Sequence, residues 1–181
     1  MARLKQITSR EQVPPEGQGA FDAIVGSRGG VMGPFTILMY SPEIAARTAH
    51  LGTYIRFEQK LPPVESHVAI IAAVREFDCR FEWGAWSQAA ARAGVRKEAI
   101  DLIAHRAPLE SFTADEALIV RYTRELLREH RVSQPVFDRM KALFGEKGLV
   151  EMTAMIGYFS LLACILNGFE VEPDPGWPVL P

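Results

Sequence analysis

The segment VESHVAIIAAVRE, Val64 to Glu76, constrains the fold more than any other part of the chain. Val64, His67, Val68, Ile70, Ile71 and Val74 stand at helical spacings and leave little polar surface. So wide an apolar face must be turned away from water, so this helix is expected to be central, with other elements covering it. Leu61-Pro62-Pro63 resets the chain just before it, since proline is tolerated in the first turn of a helix and not further in.

The covering elements also read as helices. Ser41-Pro42-Glu43 is a helix start: serine caps, proline takes the first turn, and glutamate favours the positive end of the dipole. That helix should reach about Gln59, with Leu51, Tyr54 and Ile55 as its apolar stripe. A helix from Asp78 should end at Gly94 as a left-handed C-cap, and a short one should span Lys97 to Ala104, before Pro108. Thr113-Ala114-Asp115-Glu116 has the capping-box pattern and opens a helix to about His130. Ser133 starts another through Phe144, Gly145 and Gly148 mark a break, and Val150 to Asn167 is apolar on most sides and reads as core. No run alternates with period two over strand length. The expectation is an all-α bundle of seven or eight helices.

The first 35 residues are irregular in pattern. Pro14-Pro15 and the glycines from Gly26 to Gly33 interrupt any long helix, leaving a short one at Phe21 to Val25. Gly29-Gly30 and Gly33-Pro34 form a loop, with neither the following Lys-Ser/Thr nor the preceding strand of a phosphate cradle. Residues 1–20 thus read as an arm, 21–171 as the helical domain, and 172–181 as an extended proline-rich tail.

A chain of 181 residues, 48% hydrophobic and 23% charged, has the composition of one globular domain. A net charge of −2 supplies no basic excess for phosphates, which argues against nucleic acid as a partner. Cys79 and Cys164 stand far apart, which is no disulfide framework and suits a reducing cytoplasm. The N-terminus has no apolar core of a secretory signal, and the stretch from Met152 to Asn167 reads as too short and too interrupted for a membrane span. The expected setting is the cytoplasm, with no membrane partner.

Candidate chemistry gathers in REFDCRFEWGAW, Arg75 to Trp86. Cys79, Glu82 and Trp86 share a helical face, with Trp83 beside it. The dipole at a helix start favours a Cys79 thiolate, whereas Asp78 and Glu82 oppose it; a small buried apolar side chain is the plainer role. His67 is expected to be partly desolvated, either as an acid–base group or as a core histidine bonded to a backbone carbonyl. Arg47, Arg56 and Arg75 could each grip a carboxylate as a fork, though helix arginines are mostly solvated. Cys164 reads as core packing. His50, His105 and His130 have no metal-ligand spacing with each other or with His67, so no metal site is expected.

Four stretches resemble the carboxymuconolactone decarboxylase and alkylhydroperoxidase-D-like superfamily: SPEIAARTAHLGTYIRFEQKLPP, VAIIAAVREFD, CRFEW followed by AARAGV, and MIGYFSLLACILNGFEV. The resemblance implies an all-α fold, homo-oligomers (commonly trimers or hexamers) and small-molecule chemistry without a cofactor. One branch decarboxylates a lactone acid; the other reduces peroxides with a CxxC pair served by a glutamate and a histidine. On this chain the first cysteine falls on Cys79, the second on Glu82, the histidine on Trp86 and the glutamate on His67. One thiol cannot close an intramolecular disulfide, so the CxxC cycle is excluded. By this resemblance His67, Glu82 and Cys79 are the catalytic candidates, and Trp86, Trp83, Arg56, Arg75 and His50 the substrate-binding ones. Three readings stay open: a cofactor-independent acid–base enzyme, a single-cysteine peroxide reductase, and a non-catalytic ligand-binding homologue.

Overall fold

A computed structural model describes residues 2–181, and among them eight α-helices and no strand. They are α1 (Gln18–Arg28), α2 (Phe35–Leu38), α3 (Pro42–Thr53), α4 (Pro63–Glu76), α5 (Arg80–Arg92), α6 (Lys97–Ala104), α7 (Ala114–Arg124) and α8 (Gln134–Gly168). Helices α3 and α7 each run on into one π-type turn, Tyr54–Glu58 and Glu125–Glu129. The chain forms two compact units. One holds the residues up to Gln59 with Leu162–Glu172, the other Lys60–Leu161 with Pro173–Pro181.

In the second unit α4 packs against α5, α6 and α7. Ser66 and every residue from Val68 to Arg75 are buried. The helix least able to face water is therefore the one the others enclose.

Three helices of this unit end alike. After α4, the Cys79 N–H donates to the Val74 carbonyl and the Asp78 N–H to that of Arg75. After α5, Val95 and Gly94 donate to Ala90 and Ala91; after α6, Ala107 and Arg106 donate to Leu102 and Ile103. This is the Schellman arrangement, which needs a left-handed residue just past the helix. Gly94 takes that conformation without penalty (φ 95°), but Asp78 (φ 48°) and Arg106 (φ 51°) carry side chains there, at roughly 1 kcal/mol or more each.

Those two side chains offset the strain by meeting each other. Arg106 Nη2 donates to Asp78 Oδ1 at 2.9 Å and to the Arg75 carbonyl at 3.1 Å. In return Arg75 Nε donates to the Ala104 carbonyl at 2.7 Å, and its Nη1 also binds Asp78. Each helix terminus is thus capped by an arginine belonging to the other.

In the first unit α1 lies against α3. The buried face of α3 is Ala45, Thr48, Ala49 and Gly52, continued by Ile55 in the π-type turn. The expected stripe is corrected here: Ile55 is buried, but Leu51 and Tyr54 are 46% and 37% exposed. Small residues let the α1 backbone approach closely, and the larger side chains then fall on the outer face. Helix α1 is also longer than its expected core at Phe21 to Val25. It runs through Gly26 and stops at Gly29, which is left-handed (φ 77°). The buried single turn α2 begins at the last residue of the stretch whose pattern reads as irregular.

Helix α8 bends at Gly145 (φ 70°, ψ 176°), as expected, but Gly148 breaks nothing. A Cβ at Gly148 would sit 3.0 Å from Phe144 Cβ and 3.4 Å from a Leu61 methyl, so this glycine serves close packing. Cys164 is exposed instead of packed. It falls with Gly157 and Leu161 on the outer side, while Met152, Met155, Ile156, Phe159, Ala163 and Leu166 are buried. The expectation about length also changes: α8 has 35 residues and an 18-residue window of mean hydropathy 1.9, long and apolar enough to cross a membrane, with half of that window buried within the protein.

Glu116 ties α7 to the start of α6. Its carboxylate accepts the Thr113 N–H at 3.1 Å and the Arg96 guanidinium at 3.0 and 2.8 Å. The Arg96 hydrogen bond, with help from Thr113, holds the Glu116 carboxyl below its usual value against the opposing effect of burial. A lowered carboxyl pKa stabilises the fold above the unfolded-state value, and the gain disappears as pH falls through the folded value. Glu116→Gln should therefore cost about 1 kcal/mol at neutral pH, and urea titrations should show the gap to the parent closing in acid.

Candidate functional site

Helices α4 and α5 form a hairpin whose connection is Phe77-Asp78-Cys79. The reciprocal arginine caps fix that connection, and so fix where α5 begins. Cys79 is the N-cap of α5, its carbonyl accepting the Trp83 N–H at 2.9 Å. Its side chain is fully buried, at 0% exposure.

Glu82 lies in the first turn of α5 and is 3% exposed. A carboxylate there is favoured by the positive end of the helix dipole. Trp83 is buried at 3% beside it. Trp86, one helical turn beyond Glu82, is half-buried.

His67, on α4, is half-buried. Its ring lies 5.8 Å from that of Trp86, tilted by 46°. Trp86 in turn meets Phe159 edge-on at 4.7 Å, and Phe159 meets Tyr158 at 5.4 Å. The hairpin thus brings His67 and Trp86 together from separate helices. Cys79 stands two turns from Trp86 along α5, a rise of about 10 Å.

His67 Nδ1 is 2.7 Å from the Pro63 carbonyl oxygen. A carbonyl can only accept, so Nδ1 carries the proton. In the neutral ring Nε2 then holds the lone pair, so this histidine is oriented as a base by its own helix. The two expected roles, acid–base group and histidine bonded to a backbone carbonyl, are compatible: one nitrogen is anchored and the other is not.

The arginine and histidine candidates for substrate binding divide. Arg75 is buried, and its Nε and Nη1 are engaged by the Ala104 carbonyl and Asp78. Burial, and then the neighbouring Arg106, pulls its guanidinium below the usual arginine value. It acts as a structural brace. Arg56 and His50 belong to the first unit and are exposed; the Arg56 guanidinium lies 5.0 Å from the Phe57 ring centre. Arg47, also exposed, pairs with Glu43 at 3.0 Å. Among the described residues no group of three or more His, Cys, Asp or Glu side chains is placed to hold a metal ion.

Two features of α5 escape a reading by spacing. Ser87, next to Trp86, is 5% exposed, and its hydroxyl has no hydrogen-bond partner. Serine among alanines on a helix gives no sign of that. Gly84 is the other: a Cβ there would lie 2.9 Å from Trp177 Cε3 and 3.1 Å from Trp177 Cβ. Trp177 also meets the Phe81 ring edge-on at 5.3 Å. The extended tail is thus seated on α5 through a contact that only glycine admits without displacing the indole.

Residues 42–122 match the model of the carboxymuconolactone decarboxylase family. Among curated proteins nothing matches the sequence. Among solved structures, the chain resembles an alkylhydroperoxidase AhpD core, an uncharacterized peroxidase-related protein from Ralstonia eutropha JMP134, with a TM-score of 0.75 at 13% identity, covering 96% of this chain and 93% of that one. An uncharacterized peroxidase-related protein from Silicibacter sp. TM1040 is similar with a TM-score of 0.74 at 10% identity, covering 97% and 93%. At these identities the likeness establishes the fold.

Two outcomes check this geometry. A thiol reagent should label one cysteine in the folded protein and both after unfolding, and Cys164→Ser should abolish labelling of the folded form. Arg75→Lys should lower stability by about 2 kcal/mol, because an ammonium cannot reproduce the guanidinium fork; urea midpoints would show it.

Proposed function

We propose that the chain is a member of the carboxymuconolactone decarboxylase and alkylhydroperoxidase-D-like superfamily and a cofactor-independent acid–base enzyme acting on a small carboxylated or lactone substrate, a reading supported by the family-model match over residues 42–122 and by the shared fold. The observation that carries this reading is the anchored His67 ring, with Nδ1 committed to the Pro63 carbonyl and the ring tilted against that of Trp86.

Loss of CO₂ from a lactone acid breaks a carbon–carbon bond and leaves its electron pair in an extended enolate. That enolate must then receive a proton at carbon. In this scheme His67 Nε2 takes up a proton, delivers it to the enolate carbon and returns to the neutral ring. Solvent restores the proton consumed. Trp86 with Phe159 walls the reacting face from water.

The peroxide-reductase alternative through Cys79 is weakened by the complete burial of that side chain, since attack on a peroxide needs an accessible thiolate. The same reading takes the protein as a cytoplasmic homo-oligomer. Ile44, Leu51 and Phe57, 53%, 46% and 58% exposed on and just beyond α3, support self-association, because an apolar stripe on an outer face favours a covering partner.

With 4-carboxymuconolactone as substrate, His67→Asn should leave the melting temperature near that of the parent and lower kcat about a hundredfold or more. Unchanged turnover in the variant would remove His67 from the chemistry. Absence of CO₂ release by the parent would sink the decarboxylase reading.

A further inference from the structure

A concavity lies in the second unit, where α7 faces the bend in α8. Its volume is about 680 Å³, within the range of small-molecule sites. Phe137 and Lys141 line it from before the Gly145 bend, and Val150 and Thr153 from after it, with Tyr122 of α7. None of its lining residues belongs to the His67–Trp86 pair. A straight helix would offer a convex surface here; the bend makes it concave.

The hydrogen bonds of this groove have a fixed direction. Thr153 Oγ1 lies 2.7 Å from the Leu149 carbonyl, which can only accept, so the single threonine proton points there. Tyr122 Oη lies 2.6 Å from the same Thr153 oxygen and must therefore be the donor. Its proton is spent, and what it has left is lone pairs. Tyr122 lines the groove and is 3% exposed, so only a small part of it faces the opening. At the rim, Lys141 and Glu146 neutralise each other at 2.8 Å across the bend.

We propose that this groove binds a neutral, flat apolar molecule that carries an O–H or N–H donor, such as a phenol or an aromatic alcohol, with Tyr122 Oη as the acceptor. Phe137 and Val150, 39% and 68% exposed, supply the apolar contact. The mutually paired rim charges leave nothing to hold an ionised group.

The test uses the full chain with 2-naphthol and its methyl ether, followed by naphthalene fluorescence. 2-Naphthol should bind saturably, and the ether, which has no proton to give, at least tenfold more weakly. Tyr122→Phe should erase that preference. Val150→Trp, at an exposed position that does not endanger the fold, should fill the groove and abolish binding. Equal binding of phenol and ether, no saturable binding of 2-naphthol, or binding that survives Val150→Trp would each overturn the proposal. So would a drop in sedimentation coefficient on Val150→Trp, which would mark the groove as a contact between copies of the chain.

Discussion

Arg75 and Arg106 cross-cap the ends of α4 and α6, and the second unit is organised around that exchange. The C-terminal carbonyls of a helix lack intrahelical partners and carry the negative end of its dipole. Here each set receives a guanidinium from the other helix, and Asp78 closes the ring between them. The arrangement holds two side-chain-bearing residues in the left-handed region, where glycine is the usual occupant. Everything that follows in the chain, from the N-cap at Cys79 to the register of α5 against α4, depends on that turn being held in one conformation.

This explains why the hairpin was legible in sequence and its fastening was not. The apolar residues of Val68 to Val74 mark α4 as central through their spacing alone. Gly94 and Thr113 to Glu116 announce the end of α5 and the start of α7, because glycine and the capping box act locally. The cross-caps are made by residues about thirty positions apart, and no local rule links Arg75 to Ala104 or Arg106 to Asp78. The same limit applies to α3. A list of large apolar residues selects Leu51 and Tyr54 for the core, yet packing against α1 selects Ala45, Ala49 and Gly52, since what matters is how near the two backbones come. Position 148 repeats the lesson, with glycine used for closeness where its usual meaning is a break.

The candidate site shows what the spacing on α5 could and could not convey. Helical periodicity places Cys79, Glu82 and Trp86 on one face. It is silent about depth, and depth separates them: the sulphur is sealed, the carboxylate is buried in the first turn, and the indole reaches the surface beside His67. A reactive cysteine and a packed one have the same sequence neighbours. Their difference lies in what other segments put on top of them. The orientation of His67 was likewise hidden, although its acceptor is only one helical turn away, because a histidine at that spacing reaches its carbonyl only in the rotamer that packing selects.

The seat of Trp177 on Gly84 has a consequence for the order of events in biosynthesis. The chain leaves the ribosome from its N-terminus, so α5 emerges well before the indole that completes one of its faces. Until then the surface around Phe81 and Gly84 is open, and the helix that bears the candidate site carries a bare apolar notch. Maturation of this helix is thereby coupled to a segment made much later, and a nascent chain halted between the two would hold the right secondary structure with its packing unfinished.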